Sequence, residues 1–298
     1  MNAVTALIKR NVKLFFKDKG MFFSSLITPI ILLVLYATFL SGIYKDSFYA
    51  SLPEGTEISE RLISGLAAGQ LFASLLAVSS VTVAFCANFL VVQDKVTGAR
   101  KDMLVSPVNP ARLSVAYYLS AAISSLIICF AAVAVSFVYM AAVGWYLSFA
   151  DVLLIILDVF ILVMFGTALS SVINYFLTTQ GQISAVGTVI SAGYGFICGA
   201  YMPIYSFGEG LRNAVMFLPG TYGTSLLRNH AMRGALSSLE AEGVPAAAIN
   251  ALKDGVDINL YFFGSSVEPW VMYLVLCASV ALFAGIFILI NKFSKAKK

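Results

Sequence analysis

The sequence predicts an all-α membrane protein with six transmembrane helices. Hydrophobic residues make up 60% of the 298 residues and charged residues only 11%, and the mean hydropathy is +0.90. A soluble domain carries about 25% charged residues, so this chain could not cover a soluble surface. Its apolar residues also occur in runs of the length that a bilayer-crossing helix needs, which is about 20 residues.

The apolar runs follow one another through a single predicted transmembrane domain, 1–298. The predicted spans are 22–44, 66–92, 113–143, 152–173, 182–203 and 270–291. The second and third are longer than a bilayer needs, so we expect them to tilt or to extend beyond it. Between the last two spans lies an outer region, 204–269, in which 235–241 and 245–253 are predicted as short helices. This region could be a lid over an exit or a spacer.

The distribution of lysine and arginine predicts the orientation. With the N-terminus inside, most of the 19 basic residues flank the inner ends of the spans, as the positive-inside rule requires. Both termini are therefore predicted to be cytoplasmic, in a multi-pass protein of the cell membrane. Residues 1–20 are basic and amphipathic, which predicts a helix lying in the membrane interface. Basic flanks beside anionic lipid also explain the net charge of +4, so nucleic acid is not an expected partner.

The sequence contains no nucleotide-binding or catalytic motif. There is no Gly-x-x-x-x-Gly-Lys-Ser/Thr loop to hold phosphates, and we predict a non-enzyme that binds no cofactor. The four cysteines lie in predicted spans without metal-ligand spacing. The single histidine, His230, is predicted to be a surface residue of an outer loop, so no metal site is expected. If ATP drives this protein, another chain binds it.

The loop 93–112 is charged, short and flanked by spans. Residues 94–102 are polar and could extend the second span as a helix, and prolines at 107 and 110 end any helix there. The pattern alone favours equally a plain connector and a knob that docks into a partner. The residues that would form such a knob are Gly98, Met103, Leu104, Val105 and Pro107.

Small residues recur every four positions in the fifth predicted span, at Gly187, Ser191, Gly195 and Gly199. Such a stripe lets helix backbones approach closely in lipid, so we predict a packing face. Pro203 is predicted to end or kink this span. The apolar residues 211–218 could dip back into the membrane, which predicts a pair of short re-entrant helices on the outer side.

Two polar residues stand out within the predicted spans. Asn88 is one of several polar positions in the second span that are compatible with a pathway wall. Asp158 is the one acid well inside a predicted span, where a charge usually faces protein or water. A structural hydrogen-bonding role for Asp158 is favoured over contact with a substrate.

Two motifs resemble those of ABC-2-type transporter permeases. Gly98-x-x-x-x-Met-Leu-Val-Ser-Pro is similar to the family's Gly-Thr-x-Glu-x-Leu-Leu-x-Ser/Thr-Pro, with Ala99 and Lys101 in place of the common Thr and Glu. The segment from Gly199 to Pro203, followed by Pro219, is similar to the family's Gly-x-x-x-Pro and the later proline of its outer segment.

The resemblance implies the permease subunit of an exporter, similar to the multidrug and daunorubicin type, with an elbow helix before the first span. It implies a coupling helix at 93–112 that docks into a cytoplasmic ATPase subunit, present in two copies, which binds ATP and magnesium. It also implies a second permease subunit, identical or not, with the second and fifth spans lining a pathway for a drug, peptide or lipid.

Two other classes of protein remain as alternatives. A secondary transporter or another standalone polytopic protein often shows internal repeats or intramembrane charges. No clear repeat relates 1–150 to 151–298, and only one central carboxylate is present. A membrane-embedded enzyme is disfavoured because no catalytic constellation is visible.

Overall fold

The computed structural model describes residues 3–53, 58–105 and 109–293, and within these ranges the chain is a bundle of helices. The helices, in chain order, are α1 Ala3–Lys17, α2 Lys19–Leu35, α3 Ser41–Ala50, α4 Glu60–Asn88, α5 Leu90–Val96, α6 Ala99–Val105, α7 Pro110–Val143, α8 Phe149–Phe176, α9 Gln180–Ile197, α10 Glu209–Val215, α11 Pro219–Ala241, α12 Ala246–Gly255 and α13 Pro269–Phe293. A π-helical turn, Tyr36–Leu40, joins α2 to α3. Two short antiparallel strands, β1 Leu260–Phe262 and β2 Ser265–Val267, are the exception to the all-α prediction.

Five helical segments of the described residues are long and apolar enough to cross a membrane. They are Lys19–Ala50, Glu60–Val96, Pro110–Val143, Phe149–Phe176 and Pro269–Asn291. The predicted fifth span, 182–203, is not among them. Its helix, α9, has 18 residues and is therefore about 27 Å long. It ends at Ile197, six residues before Pro203, where Gly199 adopts a positive φ of 74°. The glycine conformation, rather than the proline, ends this helix.

Helix α4 lies at the centre of the bundle, in contact with α2, α7, α8, α9 and α11. It has no polar face: apolar and small polar side chains alternate around it, and nearly all of them are buried. A helix that is buried all round needs no amphipathic stripe. Ser80 and Thr82 donate their hydroxyl hydrogens to carbonyls of the preceding turn, those of Leu76 and Val78, at 2.7 and 3.0 Å.

The closest helix contacts occur at glycines outside the predicted stripe. A Cβ added at Gly166 of α8 would lie 2.9 Å from the Cα of Val81 in α4. A Cβ added at Gly69 of α4 would lie 2.8 Å from the carbonyl oxygen of Ala231 in α11. These two glycines let α4 approach α8 and α11 closely. This is the packing role that we predicted for the small-residue stripe of the fifth span.

The bundle has two distinct ends. We call the end that carries α1 and α6 the basic end, and the end that carries α12 and the β-hairpin the far end. At the far end a second hydrophobic core joins the start of α4 to the end of α11 and to α12. The predicted helix 235–241 is the last part of α11, and 245–253 corresponds to α12. The outer region is thus a small folded layer packed on the bundle.

The segment before this layer differs from the predicted pair of short re-entrant helices. Helix α10 has seven residues, whereas α11 has 23 and is buried along most of its length. Helix α11 begins beside the middle of α8, where Gly223 lies against Leu162, and it runs outward to the far end. One short helix and one long helix inside the bundle therefore take the place of the predicted pair of short re-entrant helices.

Candidate functional site

The predicted coupling segment contains a short helix, α6, at the basic end. Gly98 has a φ of 87°, a conformation that glycine adopts readily, and it separates α6 from α5. Residues 94–102 therefore do not extend the second span as one helix. No residue of α6 is buried. Of the predicted knob residues, Pro107 lies outside the described residues.

The apolar residues of α6 divide into two groups. Met103 and Leu104 are half-buried and pack against a small cluster of Val91, Leu113 and Tyr117. Val105 is 89% exposed. A fully exposed valine at the tip of a helix is available to a partner, whereas Met103 and Leu104 also hold α6 against its own chain.

Helix α5, directly before α6, is held by a partly buried ion pair that joins three elements. Asp94 is 5% exposed and accepts from both terminal nitrogens of Arg10, at 2.7 and 3.0 Å. It also accepts from the Tyr117 hydroxyl at 2.5 Å. The bidentate geometry is the strong form of a guanidinium–carboxylate contact. The Asp94 carboxylate raises the pKa of Arg10, and the three side chains join α1 and α7 to α5.

Lys95 fixes the other side of α5. Its Nζ donates to the carbonyl oxygens of Asn174, Tyr175 and Leu177 at 3.0, 2.6 and 3.0 Å. These carbonyls are at the C-terminal end of α8, where they lack helical partners and carry the negative end of the helix dipole. Helix α6 thus follows a segment that is anchored to α1, α7 and α8.

A groove of about 730 Å³ opens between α2, α9 and the C-terminal end of α4. Gly187 and Ser191 of the predicted stripe line it. Gly195 instead lies against the ring of Tyr201, whose hydroxyl donates to the carbonyl of Ser191 at 3.2 Å. Gly199 lies beyond the end of α9. Two residues of the stripe thus line a groove and a third packs against a tyrosine of its own chain.

Asn88 does not line this groove. It is 2% exposed, and its amide donates to the hydroxyls of Ser170 and Ser171 at 3.0 and 2.7 Å. It therefore joins α4 to α8 inside the bundle. Pro219 occupies the first turn of α11, where a proline leaves no helical hydrogen bond unmade.

Asp158 lies in a buried polar cluster formed by α8, α11 and α13. Its carboxylate accepts from the Tyr273 hydroxyl at 2.5 Å and lies 2.6 Å from Nδ1 of His230. His230 is 5% exposed, so the prediction of a surface histidine in a loop is wrong. It failed because the segment 219–241 has little net hydrophobicity, and its burial depends on the neighbouring helices. One turn further along, Arg233 pairs with Asp151.

Sequence reasoning also missed a buried pair near the far end. Arg228 is fully buried and donates to Asp257 at 3.0 Å and to the carbonyl of Gly199 at 2.6 Å. Asp257 further accepts from the backbone nitrogens of Ile204 and Tyr205 at 2.6 and 2.9 Å. Burial raises the pKa of Asp257, and the Arg228 guanidinium and those backbone donors oppose the increase. The pair joins α11, the segment after α9 and the far-end layer.

These features define a helical integral membrane protein whose basic end presents a short exposed helix. Within the described ranges, no three side chains of the metal-ligating types lie close enough to hold a metal ion. A family model described as ABC-2 type transporter matches residues 2–231. The chain therefore belongs to the ABC-2 type transporter family, as the two motifs indicated, and is a permease component of an ABC transporter. No curated protein matches the chain significantly.

Proposed function

We propose that this chain is the permease subunit of an ATP-driven exporter in the cell membrane. Two permease subunits, identical or not, enclose a pathway for a hydrophobic or amphipathic molecule such as a drug, a peptide or a lipid. Two copies of a cytoplasmic ATPase subunit bind ATP and magnesium and drive the transport. Both termini of the permease are cytoplasmic, and α1 lies in the membrane interface as an elbow helix.

The exposure of α6 carries this proposal. The helix presents Val105 beyond the basic end, and none of its seven residues is buried. It follows α5 directly, and α5 is held by the Arg10–Asp94 pair and by Lys95. A force that an ATPase applies to α6 is therefore transmitted to α1, α7 and α8 rather than absorbed by a mobile loop.

The groove between α2 and α9 supports a pathway role. It is open to the side and mostly apolar, and it extends from the basic end to Tyr201. Its volume of about 730 Å³ is in the range of small-molecule sites. An amphipathic molecule in the membrane could enter such a groove without crossing bulk water first.

The test compares apolar-to-acidic substitutions at the two ends of the bundle. Val105→Asp should abolish copurification of the ATPase subunit and ATP-dependent export, because a charge replaces the apolar tip of α6. Phe263→Asp is the matched control: Phe263 is 64% exposed at the far end, and this variant should retain both properties. Met103 and Leu104 are poorer targets, since they also pack against their own chain. Normal ATPase capture and export by Val105→Asp would refute α6 as the coupling element.

A secondary transporter is the second candidate, because Asp158, His230 and Tyr273 form the kind of intramembrane cluster that relays protons in carriers. The side chains of Asp158 and His230 are only 0% and 6% exposed, so the pair is almost completely enclosed by the protein. That enclosure favours a structural role. Uptake driven by a proton gradient in vesicles that lack the ATPase would favour the carrier, whereas export only with ATP and the ATPase favours the permease.

A further inference from the structure

We propose that the groove between α2 and α9 selects an amphipathic organic cation. This inference rests on the proposed function, because it assigns the charge of the molecule that the pathway accepts. Three features carry it: an apolar floor, a single acidic side chain at the basic end, and an aromatic closure at the opposite end.

The floor of the groove suits a bulky apolar body. Aliphatic side chains of α2 face α9 across the opening, and the ring of Phe89 lies at its base beside Gly187. A Cβ added at Gly187 would lie 3.4 Å from that ring, so the glycine keeps the groove open next to an aromatic surface. Hydroxyl groups of Thr28, Thr188 and Ser184 add a few hydrogen-bonding positions without charge.

The charge of the groove has one sign. Among the described residues that line it, Asp18 is the only charged side chain, and there is no lysine or arginine. Lys17 and Lys19, its neighbours in sequence, are exposed and are not part of the lining. One carboxylate in a largely apolar groove favours a cation and disfavours an anion of equal size.

Asp18 is positioned rather than free to turn away. Its Oδ1 accepts from the backbone nitrogen of Met21 at 3.1 Å, which caps α2, and its Oδ2 accepts from the Gln93 amide at 3.3 Å. These two neutral donors leave the negative charge uncompensated by any basic group within the lining. Each carboxylate oxygen also retains a further acceptor position.

Aromatic rings complete a site for a cation. Tyr201 closes the end of the groove away from Asp18, held by its hydrogen bond to Ser191. The faces of Tyr201 and Phe89 carry the negative ring quadrupole, which attracts organic cations. A lipid chain or a helix of a second permease subunit fits less well, because apolar cover would bury the Asp18 carboxylate without a partner of opposite charge.

The experiment uses two probes of nearly equal size and opposite charge, tetraphenylphosphonium and tetraphenylborate. Their equilibrium binding is measured to the full chain in nanodiscs of zwitterionic lipid, with binding to empty nanodiscs subtracted. We expect saturable binding of the phosphonium at least about tenfold tighter than that of the borate. Asp18→Asn should weaken phosphonium binding about tenfold, equivalent to about 1.4 kcal/mol.

Two controls separate charge from folding. Asparagine caps a helix as well as aspartate does, so Asp18→Asn keeps α2 intact while it removes the charge. Asp46→Asn removes an exposed acid outside the groove and should leave binding unchanged. Ser191→Phe fills the groove and should abolish binding of the phosphonium.

Equal affinities for the two probes, or an unchanged affinity in Asp18→Asn, would overturn the selection of a cation. Absence of saturable binding of the phosphonium would overturn the groove as a ligand site and would favour its cover by lipid or by a second subunit. Neither result affects the capture of the ATPase through Val105. Failure of this inference is therefore distinguishable from failure of the proposed function.

Discussion

The buried pair of Arg228 and Asp257 offers the sharpest test of how the far-end layer is attached to the bundle. Asp257 accepts three hydrogen bonds, from Ile204, Tyr205 and Arg228, at 2.6, 2.9 and 3.0 Å. Asp257→Ala removes both acceptor oxygens, and with them all three hydrogen bonds, and leaves a fully buried guanidinium without its counter-charge. Breaking a buried pair in this way costs about 3–5 kcal/mol.

The measurement is the midpoint of thermal unfolding of the purified chain. A loss of this size should lower the midpoint by on the order of 5–10 °C. Asp254→Ala is the matched control, three positions earlier. Asp254 is partly exposed and accepts from Asn259 at 2.8 Å and Tyr261 at 3.1 Å, and surface contacts of this kind contribute about 1 kcal/mol or less.

A double variant isolates the interaction between the two charges. Arg228→Met combined with Asp257→Ala removes both charges, so it should be less destabilising than the sum of the single variants by about 2 kcal/mol. A midpoint of Asp257→Ala within about 2 °C of the wild type, or strictly additive effects, would refute the role of this pair as the attachment of the far-end layer.

Three further predictions concern topology, the groove and the basic end. In a background without the four native cysteines, Glu240→Cys should react with an impermeant thiol reagent in intact cells, and Lys101→Cys should not; the reverse pattern would invert the orientation. Gly195→Leu should impair export because the added side chain displaces the Tyr201 ring, which closes the groove. Ile197→Leu should export normally, and equal export by the two variants would contradict the role of Gly195. Lys95→Met leaves three carbonyls at the end of α8 without their charged donor and should destabilise the chain by about 1–3 kcal/mol. Thermal unfolding of this variant is compared with that of Lys101→Met, which replaces an exposed lysine and should leave the midpoint unchanged.

The sequence was sufficient to predict the helices whose length a bilayer dictates. The apolar runs at 113–143 and 152–173 correspond to α7 and α8 because a membrane-crossing helix needs a long run of apolar side chains. The first and last runs correspond to α2 with α3 and to α13 for the same reason. The charged, proline-bounded loop likewise indicated a short surface element, which is α6.

The sequence did not predict the position of α11. Its 23 residues include glycines, serines, two arginines and a histidine, so no apolar run marks it as part of the bundle. It is buried because Gly69 and Gly223 allow close approach to α4 and α8. The polar side chains of α11 then find partners that no local pattern could indicate.

The separations along the chain show why only the tertiary structure decided these contacts. Arg10 and Asp94 are 84 residues apart, His230 and Asp158 are 72 apart, and Arg228 and Asp257 are 29 apart. The bilayer acts on each segment separately, so hydrophobicity along the sequence determines which segments become helices. A buried charge is stable only beside its partner, and that partner is brought to it by the packing of the whole bundle.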